Sequence, residues 1–209
     1  MASLNFIKGT LRGRVGQFVG SSWRGKEYIK TFTRPGNPRT PNQVAVRSIF
    51  RQTATIAKGL YQGVLLPYTF PKPQKMTAYN RMIQVNQPMF YDKQWDLSKL
   101  KIFEGPLFNP GIENVVIENP GTANESLFFQ WNDRPGDPND IAIPIVYDEA
   151  SRSVLFTVCK RSTTEINVST GVLRPIDRTR IHAYLVFTRP SSDGTNETGQ
   201  VSGTAYRKI

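Results

Sequence analysis

The sequence predicts a mainly β fold with a small helical part, in which a basic N-terminal hairpin and two helices precede an antiparallel β-sandwich. Three observations predict this order. Glycine recurs every three or four residues near the N-terminus, a helical apolar period follows, and short β-rich runs then alternate with Pro, Gly and Asn turns. We therefore expect three parts: a basic Gly-rich arm at 1–40, a helical segment with a Pro-rich connector at 41–96, and a sandwich at 97–209.

Residues 9–34 have the pattern of a β-hairpin that turns at Arg24-Gly25-Lys26. Its first arm contains Gly9, Gly13, Gly16 and Gly20, and its second arm alternates β-forming side chains. Glycine in a strand marks a place where another backbone comes close, and such a strand holds its register weakly. We therefore expect this hairpin to need a partner, either the rest of the chain or another subunit. No Lys-Ser/Thr pair follows the glycines, which excludes a phosphate-binding loop.

The helical segment has clear start and stop signals. Thr40 as N-cap, Pro41 at the first helical position and Gln43 predict where the first helix begins, and Gly63 predicts where it ends. Its expected buried face contains Val46, Ile49, Phe50, Thr53, Ile56, Ala57, Leu60 and Tyr61. After the Pro-rich connector at 66–73, a shorter helix is predicted over 77–86, ended by Pro88.

Strand-like runs occupy the C-terminal half at about ten-residue spacing. They lie near 99–104, 112–118, 126–132, 140–147, 153–160, 164–169, 180–188 and 198–206. This spacing predicts a sandwich of immunoglobulin or fibronectin type III kind. Trp131 is the expected core anchor, and Tyr184 lies where such sandwiches place a corner tyrosine. Cys159 is the single cysteine, so the immunoglobulin disulfide is excluded.

The net charge of +11 belongs entirely to the N-terminal portion. Residues 1–81 contain 14 basic groups and one acid, which gives 14 − 1 = +13, whereas residues 82–209 contain 13 basic and 15 acidic groups, which gives 13 − 15 = −2. Such an asymmetry indicates a basic segment that meets an acidic partner.

The basic hairpin is therefore the predicted partner-binding site. Its cations are Arg12, Arg14, Arg24, Lys26, Lys30, Arg34 and Arg39, and its aromatic anchors are Phe18, Trp23, Tyr28 and Phe32. Three interpretations stay open: docking against an acidic protein surface, phosphate contacts with aromatic stacking on nucleic acid, and an inert solvated face. Docking is favoured, because the cations are spread along Gly-rich extended chain and no helix-turn-helix, RNP signature or zinc finger is present.

No other residues predict catalysis, a metal or a cofactor. His182, the single histidine, is predicted to be a core or edge residue, since nothing beside it forms a nucleophile–base pair. Cys159 is predicted to be a small buried hydrophobe. The acidic pairs Asp137/Asp140 and Asp148/Glu149 are predicted to be solvated turns in preference to a calcium site, because the ligand spacing of an EF-hand is missing. We therefore expect a protein that is not an enzyme.

Several segments resemble an uncharacterised family that is common in Bacteroidota genomes and their mobile elements. They are Lys8-Gly9, Gly13-Arg14-Val15-Gly16, Val19-Gly20-Ser21-Ser22-Trp23-Arg24-Gly25-Lys26, Tyr28-Ile29-Lys30, Asn37-Pro38-Arg39-Thr40, Gln43, Met76-Thr77-Ala78-Tyr79-Asn80, Trp95-Asp96, Lys99-Leu100-Lys101-Ile102 and the strands of the C-terminus. The resemblance covers most of the chain, and its Gly/Trp opening is the most specific part. It implies a β-sandwich behind a basic N-terminal segment and implies no activity.

These observations together predict a structural or adaptor protein that docks into a large assembly through its basic N-terminal segment, with a bacteriophage virion as the leading context. The expected partners are protein subunits, including copies of itself. A nucleic-acid-binding protein and an accessory or plug subunit of a bacterial secretion machine are the alternatives. No apolar run approaches the roughly 18 residues of a membrane span, and no secretory signal is recognised. Synthesis in the bacterial cytoplasm, followed by incorporation into the assembly, is therefore expected.

Overall fold

A three-stranded antiparallel sheet begins the chain in the computed structural model, which describes residues 12–23, 26–34, 36–68, 76–170, 178–189 and 200–209. Its strands are β1 (Gly13–Val15), β2 (Phe18–Trp23) and β3 (Lys26–Thr31), in the order β1-β2-β3. Two compact units make up the chain, Met1–Thr40 and Pro41–Ile209, and this sheet belongs to the first.

The predicted pairing across the Arg24–Lys26 turn is confirmed, because β2 and β3 pair antiparallel from Phe18 opposite Thr31 to Trp23 opposite Lys26. The sequence analysis missed the third strand. Gly16 has a φ of +59°, a left-handed conformation that suits glycine, and the resulting tight turn folds β1 back onto β2. The segment is therefore a three-stranded sheet and not a two-stranded hairpin.

The first helix, α1 (Pro41–Leu60), begins at the predicted proline but does not end at Gly63. It continues as a π-helical turn, Tyr61–Leu65, which contains Gly63. Gly63 instead allows close packing. A Cβ at this position would lie 2.0 Å from the Phe156 ring. Phe50, predicted on the buried face, is 47% exposed, whereas Ile49, one position earlier, is buried. The inward stripe of α1 therefore passes through Ile49.

Two short helices follow. The predicted helix is confirmed as α2 (Ala78–Val85), and Thr77 caps it by accepting a 3.2 Å hydrogen bond from the amide of Asn80. Pro88 does not end the helical segment, because it lies in the first turn of a further helix, α3 (Gln87–Asp92). Proline is tolerated there, since the first-turn amides have no intrahelical acceptor. The connector is described only up to Tyr68, and the remainder of 66–73 lies outside the described residues.

The C-terminal strands form two antiparallel sheets. They are β4 (Asn114–Glu118), β5 (Ser126–Gln130), β6 (Ile141–Asp148), β7 (Ser153–Phe156), β8 (Cys159–Lys160), β9 (Glu165–Ser169), β10 (Ile181–Arg189), β11 (Gln200–Val201) and β12 (Ala205–Lys208). The larger sheet has the order β11-β10-β6-β7, with β12 beside β10 and β8 beside β6, and the smaller sheet has the order β4-β5-β9.

The two sheets enclose one of the two apolar clusters of the second unit. Leu127 and Phe129 of β5 meet alternate residues of β10, such as Leu185 and Phe187. Trp131 is 1% exposed and lies in this cluster, so its prediction as a core anchor is confirmed. This packing is that of an antiparallel sandwich, and its immunoglobulin or fibronectin type III kinship stays a prediction.

The helices pack on the other face of the larger sheet, which the sequence analysis did not predict. The second apolar cluster joins α1 and α2 to the remaining side chains of β6 and β10, including Ile143, Tyr184 and Val186. The Tyr184 hydroxyl donates a 2.9 Å hydrogen bond to the carbonyl of Leu97, 87 residues away. A corner tyrosine bonds to backbone only a few residues upstream, so that prediction was wrong. Pro41–Ile209 thus has three layers: the smaller sheet, the larger sheet and the helices.

Three predicted strands differ from the structure. Residues 99–104 form no strand, because the amides of Ile102 and Phe103 donate to the Thr204 hydroxyl instead of to a neighbouring strand. The run predicted at 153–160 divides into β7 and β8, which pair with opposite ends of β6. The run predicted at 198–206 divides in the same way into β11 and β12 along β10.

Candidate functional site

One face of the N-terminal sheet is basic and aromatic. Arg14, Val19 and Lys30 lie side by side across the three strands, and the period of two places Lys26 and Tyr28 on the same face as Lys30. The Arg14 guanidinium lies 3.8 Å from the centroid of the Phe32 ring, a cation–π contact. Its Nε donates a 2.8 Å hydrogen bond to the carbonyl of Gly16, which fixes the arginine along the turn. We call these side chains the basic face.

The opposite face of the same sheet is largely apolar, although the period of two also places the polar side chains of Glu27 and Thr31 on it, to either side of Ile29. Val15 and Phe18 form one row across it, and Ile29 lies in the next row beside the backbones of Gly13 and Gly20. The two glycines leave the strands uncovered next to Ile29, so another chain can approach the backbone there. We call Val15, Phe18 and Ile29 the apolar face.

Both faces are open. Phe18 is 48% exposed and Ile29 57%, and every described residue of β3 is exposed. A three-stranded sheet normally needs one covered face to be stable in water. The described N-terminal sheet therefore exposes apolar side chains on one face and basic side chains on the other.

The predicted site residues do not form one cluster. Arg14, Lys26, Lys30, Tyr28 and Phe32 share the basic face, whereas Phe18 points to the apolar face. Arg12, Arg34 and Arg39 are exposed in the chain that flanks the sheet. Trp23 ends β2 opposite Lys26, and Arg24 lies outside the described residues. The sequence analysis missed Val15 and Ile29 as site residues, although the alternation of Ile29 with Tyr28 and Lys30 is the signal that assigns it to the other face.

His182 is a buried side chain of the second unit. It is 6% exposed, its Nδ1 lies 3.0 Å from the Tyr206 hydroxyl, and its ring stacks on that tyrosine. Its Nε2 lies 3.9 Å from the Glu149 carboxylate. Burial lowers the pKa of His182 below its usual 6.5, and the charge of Glu149 opposes this shift. The side chain is therefore a neutral buried histidine at neutral pH.

Acidification below about pH 6.5 is expected to destabilise the protein through His182. Because the folded pKa is lower than that of the unfolded chain, the unfolded state takes up the proton first, and stability falls as the pH drops through this window. One such group costs at most about 1.4 kcal/mol per pH unit. Urea unfolding at about pH 7.5 and about pH 5.5 measures the loss.

The control for this pH dependence is His182→Gln, which removes the only imidazole of the chain. The variant should lose less stability than the wild type between the two pH values. Equal losses in the two proteins would show that His182 is not the responsible group.

Cys159 has the surroundings of an unreactive thiol. It is half-buried, its Sγ lies 3.8 Å from the carbonyl of Ala142, and burial raises its pKa to about 11. Since the thiolate is the nucleophilic form, this side chain is protonated and inert at neutral pH.

Asp140 is not in a solvated turn, so that prediction was wrong. It is 1% exposed, and its carboxylate accepts two hydrogen bonds from Arg189, of 2.7 and 3.0 Å. Arg161 lies 3.7 Å away and is fully buried. Burial lowers the pKa of the Arg161 guanidinium, but arginine stays protonated in proteins. The carboxylate therefore serves an internal ion-pair network.

The other acidic residues are turn elements. Asp148 is 7% exposed and accepts hydrogen bonds from Ser151 and from the amide of Ala150, so it too is not a solvated residue. Asp137 is exposed, as predicted, and caps the amide of Asn139. Within the described ranges, no group of three or more His, Cys, Asp or Glu side chains is arranged to hold a metal ion. None of the helices in the described ranges has the length and apolar character needed to span a membrane.

Comparison with known proteins identifies the family of the chain but assigns it no activity. No curated protein and no solved structure matches it. A family model described as a family of unknown function, DUF6266, matches residues 10–201, which include the N-terminal sheet, the helices and nearly all of the sandwich. The chain therefore belongs to the family of unknown function DUF6266.

Proposed function

We propose that this chain is a non-enzymatic structural or adaptor protein that docks into a large protein assembly through its N-terminal sheet. The observation that carries the proposal is that this sheet is open on both faces while the second unit has its own buried core. The second unit acts as a spacer or exposed lobe.

An open sheet is poorly stable unless something covers it. Its strands have three to six residues, and glycines occupy the centre of the apolar face. Covering the side chains of Val15, Phe18 and Ile29 contributes about 25 cal/mol for each Å² of apolar surface removed from water. A partner that takes up this face therefore stabilises the sheet as well as binding it.

The apolar face favours a protein partner over nucleic acid. Nucleic-acid surfaces are recognised by cations and by stacking on exposed rings, and neither contact uses Val15 or Ile29. Protein interfaces bury apolar side chains and are enriched in aromatic and arginine residues. The apolar face offers the first and the basic face the second, so each face can contact a different subunit.

The context we propose is a bacteriophage virion. The opening segments resemble proteins of Bacteroidota mobile elements, and in a virion the N-terminal sheet would add strands to neighbouring subunits by edge pairing. β1 and β3 are the edge strands of the described sheet, and a strand of a neighbouring subunit can pair with either edge. Copies of this chain are the first candidates for that neighbour, since an apolar face pairs readily with itself.

The test is whether the pure protein associates through the apolar face. We expect light scattering after size exclusion to give an oligomer for the wild type and a monomer for the double variant Phe18→Ser/Ile29→Ser, because two polar side chains remove the apolar centre of the contact. The matched control is Phe108→Ser/Val116→Ser, which changes two side chains of similar exposure in the second unit, 49% and 46%.

The control should keep the wild-type mass. If both double variants behave alike, association does not use this face and the proposal fails. A wild type that is monomeric at every concentration would also count against copies of the chain as the neighbour.

Nucleic-acid binding is the second candidate, favoured by the contact of Arg14 with Phe32 and by the two lysines of β3 on the same face. It predicts that the pure protein retains nucleic acid at about 50 mM salt and loses it steeply toward about 500 mM, as phosphate contacts do. The ratio of absorbance at the nucleic-acid and protein maxima checks this. Substituting Arg14, Lys26 and Lys30 by Gln should abolish the retention. An accessory or plug subunit of a secretion machine would use the same docking surfaces.

A further inference from the structure

The outward side of α1 forms a second basic surface, separate from the N-terminal sheet. Arg47, Arg51 and Lys58 are exposed and lie four and seven residues apart, which places them on one side of the helix. Their Cα atoms are therefore about 6 Å and about 10 Å apart along the helix axis. These three side chains form a row of positive charges along one helix.

The charge of this row is not compensated by the helical segment. The sequence contains no acidic residue between Glu27 and Asp92, and the first turn of α1 has none to offset its helix dipole. Among the described residues, no ion pair involves these three cations. Like charges four residues apart destabilise a helix, so Arg47 and Arg51 cost helix stability. Lys58 lies in the last turn, where the helix dipole favours a cation.

An open groove runs beside the cations. Two adjoining hollows of about 680 and about 450 Å³ share Lys58 and Tyr79 as walls. The larger one is also lined by two apolar side chains, Phe50 and Ala54, which we call the floor of the groove. Phe50 is 47% exposed although it packs on Phe90 at a centroid distance of 6.1 Å. The groove is thus lined by apolar and cationic side chains together.

We propose that this α1 groove binds an acidic amphipathic segment of a protein partner. The partner helix would lie along α1. Its carboxylates, four and seven residues apart, would meet the three cations, and the apolar side chains between them would contact the apolar floor of the groove. The two arginines can each hold a carboxylate through two parallel hydrogen bonds. The groove is a contact of the second unit, so it does not depend on how the N-terminal sheet docks.

The same geometry favours a protein segment over a nucleic acid. One ring of the groove, Phe50, is already in contact with Phe90, which leaves it less available for a base. The cations lie along one helix beside apolar side chains, a combination found in protein interfaces.

The test uses the full chain and a fluorescein-labelled helical peptide of about 20 residues, made of Glu, Leu and Ala, whose Glu residues are four and seven apart. We expect it to bind the wild type, and a matched peptide with Gln in place of Glu not to bind. The α1 variant Arg47→Gln/Arg51→Gln/Lys58→Gln should weaken binding at least about tenfold. The control Arg152→Gln/Lys160→Gln/Lys208→Gln removes the same charge from exposed sites of the sandwich and should change the affinity less than about twofold.

A neutral variant separates the groove from bulk charge. Ala54→Gln fills the floor without a change of charge and should also weaken binding about tenfold. If the triple variant fails to fold, the affinity of Ala54→Gln alone tests whether the peptide binds in the groove. A third triple variant, with Arg14, Lys26 and Lys30 changed to Gln, should bind the peptide normally, since the groove lies in the second unit.

Any of four results with the peptides would overturn the proposal. The first is that the Glu peptide does not bind the wild type, and the second is that the α1 variant and the sandwich control lose affinity equally. The third is that only the N-terminal variant loses affinity, and the fourth is that Ala54→Gln binds the peptide normally. The nucleic-acid arm uses labelled single-stranded dT of about 20 nucleotides. If this probe binds more tightly than the peptide and loses its affinity in the α1 variant, the groove is a nucleic-acid site instead.

Discussion

Replacing Arg161 with methionine is expected to lower the free energy of unfolding by about 3–5 kcal/mol. The guanidinium is fully buried and donates three hydrogen bonds of 3.0 to 3.1 Å to the carbonyls of Phe108, Asp133 and Pro135. It also lies 4.3 Å over the Phe187 ring. Arg161 thus connects the loop that contains Phe108 and the loop that contains Asp133 and Pro135 to strand β10.

The expected loss is large because the partners of Arg161 stay in place when it is removed. Replacing both members of a buried ion pair by apolar groups is often neutral, whereas removing one leaves the other without compensation. Methionine fills the volume but has no hydrogen-bond donor for the three carbonyls. Each carbonyl that stays buried without a partner costs about 1–3 kcal/mol of stability, unless water reaches it. Asp140 keeps its contact with Arg189, which limits the loss.

Urea unfolding of Arg161→Met measures this loss, with Arg152→Met as the control. Arg152 is exposed, and the control should stay within about 0.5 kcal/mol of the wild type. A loss below about 1 kcal/mol in Arg161→Met would mean that the network does not hold the loops.

Replacing Trp131 with alanine is expected to cost about 3–5 kcal/mol. The indole is 1% exposed, meets the Phe187 ring edge-on at 6.3 Å, and donates a 3.0 Å hydrogen bond to the carbonyl of Arg161. The substitution leaves a cavity between the two sheets. It also removes one of the two hydrogen bonds that the Arg161 carbonyl accepts, and the other, from the amide of Thr164, remains.

Thermal unfolding checks this effect against Phe108→Ala, which removes a ring that is 49% exposed. The control should shift the free energy of unfolding by under about 1 kcal/mol. If the two variants lose stability equally, Trp131 does not anchor the core.

The sequence predicted the fold class because its local signals were strong. The apolar period and Pro41 predicted α1, and alternation between turn residues predicted most strands of the sandwich. The helical layer could not be predicted, since β6 and β10 are buried on both faces and an apolar run does not say what covers each face. Residues 99–104 have the sequence pattern of a strand because they contain the apolar residues Leu100, Ile102 and Phe103, which are buried in the structure. The amides of Ile102 and Phe103 nevertheless bond to the hydroxyl of Thr204 from a distant segment, and not to a neighbouring strand.

The candidate site was predicted in composition but not in arrangement. Charge counting identified the N-terminal segment, and the aromatic residues between the cations were visible in the sequence. The division into a basic and an apolar face depends on the third strand, which a single glycine turn creates at Gly16. The α1 groove was missed because Phe50 fits the apolar period of α1, and only the packed helix shows that it lies outside the buried stripe.

The central claim is that the N-terminal sheet is the docking element of this chain. The most direct measurement is size exclusion with light scattering, and with the absorbance ratio for bound nucleic acid, on the full chain and on residues 41–209, at about 50 mM and about 500 mM salt. The truncated chain keeps both apolar clusters, so it should stay folded by circular dichroism. We predict that the full chain is a nucleic-acid-free oligomer at both salt concentrations and that 41–209 is a monomer. The claim would be contradicted if the truncated chain kept the same number of subunits as the full chain. It would also be contradicted if the full chain bound nucleic acid at low salt and was a monomer at high salt.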